Sequence, residues 1–140
     1  MYLQGNFITT ATVLLPCTRI SHLYLQHNKI SSTLPFREMR LLRKLFLGYN
    51  EIACVEGLAG LINLRELHVE CQRLALPVMS AQPAPPPALV FEWGLAGTRL
   101  ETLNLAGNGL TSTEEFALFE NLLTLDLSRN NIDSVDALAV

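Results

Sequence analysis

One phrase, L-x-L-x-x-N-x-I, recurs along the chain at a fixed step, and this recurrence limits the possible folds more than any other feature. Leu23, Leu25, Asn28 and Ile30 spell it once; Leu45, Leu47, Asn50 and Ile52 spell it again. Leu103, Leu105, Asn108 and Leu110 give a third copy, and Leu125, Leu127, Asn130 and Ile132 a fourth. A shortened copy opens the chain at Leu3, Asn6 and Ile8, and a degenerate one runs from Leu67 to Leu74 with Gln72 in the Asn slot. Asn6, Asn28, Asn50 and Gln72 follow one another at 22 residues, as do Asn108 and Asn130. Only the step from Gln72 to Asn108 differs, at 36 residues, an excess of 14 over the period of 22.

The L-x-L pair has period two, which marks a short strand with alternate residues turned inward. Before each pair the apolar residues are three apart. After Asn50 they are Ile52, Val55, Leu58, Leu61, Leu64, Leu67 and Val69, and that spacing suits a 3₁₀ or short helical turn. The Asn stands where the chain leaves the strand. Its amide both donates and accepts, so stacked copies can build a ladder of hydrogen bonds to buried backbone. Gln72, longer by one methylene, is expected to continue that ladder with distortion. A fixed period with this phrase is the signature of a leucine-rich repeat solenoid. The expected class is α/β, with a parallel β-sheet on the concave face and 3₁₀ or short helical turns on the convex face.

The expected organisation is a single leucine-rich repeat domain over residues 1–140, with about six 22-residue repeats and a proline-rich insertion at 75–99. Five of the seven prolines fall in that stretch, three of them consecutive, which rules out a helix interior or central strand there. Leu89–Trp93 is apolar enough to dock back onto the solenoid. The array begins and stops within a repeat, without capping elements, and this reads as a fragment or shortened product or, at its start, as a frayed first repeat.

Composition sets further bounds. Apolar residues make up 49% and charged residues 16%, which opposes disorder. A net charge of −3 disfavours nucleic acid as a partner. No apolar run approaches the ~20 residues that span a bilayer, so no membrane is expected. The three scattered cysteines form no framework and suggest a reducing compartment, and no signal peptide is evident. No catalytic motif is present, His22, His27 and His68 are dispersed, and neither a metal nor a cofactor is expected.

The x residue between the two leucines points away from the core, onto the concave sheet. That row reads Tyr2, Tyr24, Phe46, His68, Asn104, Asp126, and the positions around it add Gln26, Tyr49, Glu66, Glu70 and Arg129. Aromatic residues that the core does not need are the usual anchors of an interface. The expected partner-binding set is Tyr24, Gln26, Phe46, Tyr49, Glu66, His68, Glu70, Asp126 and Arg129.

The period, the phrase, and the run LRELHVE at Leu64–Glu70, followed by Gln72 and a lengthened repeat, resemble the leucine-rich repeat regulators of protein phosphatase 1. The resemblance implies a non-catalytic scaffold that binds the phosphatase catalytic subunit. It also implies a cytoplasmic, cytoskeletal or centrosomal setting, with tubulin or motor proteins as further partners. Arg43-Lys44-Leu45-Phe46 is close to the docking motif common among phosphatase partners, but Leu45 belongs to the core, so the concave face is the expected contact. The alternatives are a tubulin- or dynein-associated adaptor of the same repeat class, and a truncated, inactive product.

Overall fold

The L-x-L pairs form the strands. In the computed structural model, which describes residues 1–74 and 87–135, they are β1 (His22–Tyr24), β2 (Lys44–Phe46), β4 (Glu66–His68), β6 (Thr102–Asn104) and β7 (Thr124–Asp126). They pair in parallel in the order β1-β2-β4-β6-β7, and Tyr2 bridges to Tyr24 at the β1 edge. The register aligns Leu23, Leu45, Leu67, Leu103 and Leu125 across the sheet. Strands of three residues cannot stand alone; each repeat buries its apolar side only against its neighbours.

The outer side is made of 3₁₀ turns at Thr12–Leu14, Leu34–Glu38, Trp93–Gly97 and Glu114–Leu118. No α-helix occurs among the described residues. The expected choice between 3₁₀ and helical turns thus falls to 3₁₀, because the short repeat leaves room for a single tight turn. Apolar residues three apart share a face of such a turn. Phe36 and Met39 accordingly point inward, as do Phe116 and Phe119, and join the leucines in one continuous core.

The Asn ladder is present. Asn50 is fully buried; its Nδ2 donates to Leu47 O at 2.8 Å and across the repeat to Leu25 O at 3.0 Å, while its Oδ1 accepts from Ile30 N at 3.0 Å. Asn28 and Asn130 repeat the pattern, and Asn108 keeps both donated bonds while its Oδ1 accepts from Gln72 N at 2.9 Å. Gln72 keeps the bonds across the repeat, Nε2 donating to Leu47 O at 2.9 Å and Oε1 accepting from Ile52 N at 2.9 Å. The expected distortion falls on the bond within its own repeat, where Nε2 to Val69 O lengthens to 3.3 Å.

The docking expected of Leu89–Trp93 occurs: Leu89, Phe91 and Leu95 enter the core. Proline content favours a loop across the insertion, and here the structure differs, since residues 87–99 carry β5 (Val90–Phe91), paired in parallel with β3 (Cys54–Val55), and the turn Trp93–Gly97. The loop reading of 75–86 lies outside the described residues. The repeat spacing would put Val135 and Leu138 in core slots after Ile132, but Val135 is 62% exposed, since no described repeat follows to cover it, and Leu138 is outside the described residues.

Candidate protein-binding face

Because strands in a sheet lie about 4.8 Å apart, identical positions in successive repeats stand at stacking distance. Tyr2, Tyr24, Phe46 and His68 therefore form one continuous ring stack, with centroid separations of 4.7, 4.7 and 4.3 Å and planes within 17° of parallel. Stacked in this way, the inner rings cover one another's faces and leave their edges to the concave surface. Tyr24, Phe46 and His68 are half-buried for that reason, while Tyr2 at the end is 73% exposed.

A second row runs parallel to the first. His27, Tyr49, Cys71 and Arg129 each precede the ladder residue, and all four have φ between 53° and 61°. Gly5 and Gly107 hold the same position with φ of 70° and 68°. Left-handed backbone favours glycine and costs other residues about 1 kcal/mol or more each. His27 and Tyr49 occupy it with ring side chains, which stack at 4.3 Å. Tyr49 is held above its ordinary tyrosine value, first by its side-chain hydrogen bond to Cys71.

One cluster of charge on this face is paired internally. Lys44 Nζ lies 2.5 Å from Glu66 Oε2, and His68 Nε2 lies 3.0 Å from Glu66 Oε1. Burial pushes the Glu66 carboxyl up, but the hydrogen bonds from Lys44 and His68 outweigh it and hold Glu66 below 4.5. The Glu66 hydrogen bond in turn raises Lys44. Asp126 Oδ1 accepts from Ser128 N at 2.9 Å, which lowers Asp126.

The structure thus brings Tyr24, Phe46 and His68 into one stack, attaches Glu66 to it through His68, and sets Tyr49 in the row beside it. Gln26 and Glu70 lie in the row between, with Gly48 separating them. Asp126 and Arg129 are further along the same face, beyond Asn104 and Gly107, yet within electrostatic range of His68 and Tyr49 respectively. The sequence-based set omitted Tyr2, His27, Lys44 and Gly48. The 22-residue register was the available signal, since it puts His27 beside Tyr49 and Tyr2 beside Tyr24.

Residues 98–140 match the family described as Leucine Rich repeats (2 copies). No curated protein matches the chain. Among solved structures, an internalin (inlF) from Listeria monocytogenes is similar at 27% identity and a TM-score of 0.78, covering 96% of this chain and 36% of that one. An internalin C2 (inlC2) from the same organism has 25% identity and a TM-score of 0.78, covering 99% of this chain and 55% of that one. The chain is a leucine-rich repeat solenoid. It spans between about one third and just over half of the internalin chains it resembles.

In this solenoid the histidines serve separate neighbours: His22 contacts Ser21 Oγ at 2.8 Å, His27 stacks on Tyr49, and His68 stacks on Phe46. No group of three or more potential metal ligands occurs among the described residues. No helix among them is long and apolar enough to cross a membrane. A cleft of about 290 Å³ between Leu89–Phe91 and Leu110–Phe116 has Glu115 as its one charged lining residue. It therefore lacks the converging titratable groups that acid–base chemistry requires.

Proposed function

We propose that this leucine-rich repeat protein is a non-catalytic scaffold that binds the catalytic subunit of protein phosphatase 1 through its concave face. One observation carries the protein-binding part. Two parallel rows of stacked rings stand on a sheet surface that the core does not require, and the second row occupies strained backbone where glycine would fold more easily. Strain of that kind concentrates where a side chain is needed for function. The phosphatase part rests on the likeness of Leu64–Glu70 and the long repeat after it to protein phosphatase 1 regulatory subunit 42. Leu45 is fully buried, so Arg43–Phe46 is not free to act as an extended docking peptide, which favours the ring rows of the concave face as the contact.

The test is a calorimetric titration of the catalytic subunit into the wild type and into Tyr24→Ala/Phe46→Ala/Tyr49→Ala, with both proteins giving the same circular dichroism spectrum. Binding that the variant weakens by about a hundredfold or more, the scale of lost aromatic anchors, supports the proposal. Wild-type chain that does not bind ends the phosphatase reading. A cytoskeletal adaptor of the same class then takes its place, tested by titrating tubulin.

A further inference from the structure

A third row lies between the two ring rows: Gln26, Gly48, Glu70, Ala106 and Ser128. Gly48 is buried, and its backbone is outside the left-handed region, so its conformation does not demand glycine. A Cβ at residue 48 would collide with the Glu70 carboxylate, the flexible end of a side chain folded over the glycine, and would push it aside. Phe46 is on the same strand face two residues before Gly48, and Tyr49 follows it, so the carboxylate lies in the channel between the ring rows.

This carboxylate is incompletely served. Its Oε2 is shut from solvent with no hydrogen-bond partner, and Gln26 Oε1, on the other side of Gly48, is in the same state. Unmet buried acceptors are costly, most of all on a charged group. None of the ion pairs among the described residues includes Glu70: Lys44 and His68 face Glu66. Arg73 is committed to Asn28 O and Tyr49 O. Tyr49 carries His27 on one face, and on its other side the row continues with Cys71, to which its hydroxyl is hydrogen-bonded.

When the flexible Glu70 side chain turns outward from Gly48, its carboxylate and the Gln26 amide oxygen, two acceptors without a donor flanked by ring edges, call for a planar cation with several N–H groups. Guanidinium fits this better than ammonium, because it is flat, weakly hydrated and able to bridge two acceptors. We infer that the Gly48 channel is a subsite for an arginine side chain presented by an extended segment of the protein partner, with Glu70 as its counter-charge and Gln26 as its second acceptor. This rests on the proposal that the concave face binds protein.

The test uses the capped pentapeptide acetyl-Gly-Gly-Arg-Gly-Gly-amide and its lysine and citrulline counterparts, citrulline having the shape of arginine without its charge. Each is titrated into the ¹⁵N-labelled full chain, and the Gly48 backbone amide and Gln26 side-chain amide signals are followed. The expected result is saturable shifts with the arginine peptide, about tenfold weaker binding of the other two, and a comparable loss in Glu70→Gln. Equal binding of the citrulline or lysine peptide, unchanged binding by Glu70→Gln, or no shift at all would overturn the subsite. The wider reading is scored separately. A partner titration lost in the triple aromatic variant but intact in Glu70→Gln leaves the concave interface standing and removes only the arginine subsite.

Discussion

Replacing Asn50 by alanine isolates what the ladder contributes. The amide of Asn50 accepts from Ile30 N–H and donates to Leu25 O and Leu47 O. Its loss does not orphan all three groups. Leu25 O still accepts from Asn28 Nδ2 at 2.9 Å, and Leu47 O from Gln72 Nε2 at 2.9 Å. Only the Ile30 N–H, in fully buried surroundings, is left without a partner. An orphaned buried donor costs about 1–3 kcal/mol and each merely weakened bond about 0.5–1 kcal/mol, so Asn50→Ala is expected to destabilise by about 3 kcal/mol. Asn130 makes the same contacts but is half-exposed, and water can replace its amide. Asn130→Ala should therefore cost about 1 kcal/mol. Urea unfolding followed by circular dichroism gives both values. Equal costs for the two variants, or a cost below about 1 kcal/mol at Asn50, would refute the view that the buried ladder holds the repeats in register.

Three other perturbations follow from the site. Glu66→Gln should lower the urea midpoint at neutral pH. Because Glu66 is held below 4.5 in the folded chain, its contribution is present above that value and lost as pH falls through the lowered one; a gap between wild type and variant that persists in strong acid would contradict this. Arg129→Gly relieves left-handed backbone without removing a ring contact, so it should be neutral or stabilising by up to about 1 kcal/mol, while Tyr49→Gly should destabilise. Thermal unfolding in which Arg129→Gly is the more harmful of the two would refute it. Gly48→Ala should displace the flexible end of Glu70 at a cost of about 1 kcal/mol or less in wild type and less still in a Glu70→Ala background; additive costs in the double-mutant cycle would show that the carboxylate does not occupy the glycine space.

Much of this architecture was legible because one register governs both the core and the surface. The alignment of Leu23, Leu45, Leu67, Leu103 and Leu125 is the 22-residue step itself, interrupted once. The same step placed Tyr24 beside Phe46 and Phe46 beside His68. The return of Val90–Phe91 to pair with Cys54–Val55 was obscured by the prolines just before it, whose backbone restrictions dominate a local reading. The folding of Glu70 over Gly48 was invisible for another reason. It depends on a rotamer crossing between strands, and a lone glycine in a strand-like phrase signals close approach without naming what approaches. The left-handed row was hidden because His27, Tyr49, Cys71 and Arg129 are residue types that do not announce that conformation.

The concave interface can be tested most directly by photo-crosslinking. A benzoylphenylalanine is placed at Phe46 on the ring stack in one protein and at Leu118, 57% exposed on the convex side, in another. Each is irradiated with the phosphatase catalytic subunit and, in parallel, with a cell extract, and the adducts are identified by mass spectrometry. A defined adduct from position 46 that disappears when Tyr24 and Tyr49 are alanine, with none from position 118, is the expected result. Adducts from position 118 alone, or the same adduct in equal yield from both positions, would contradict binding through the concave rings.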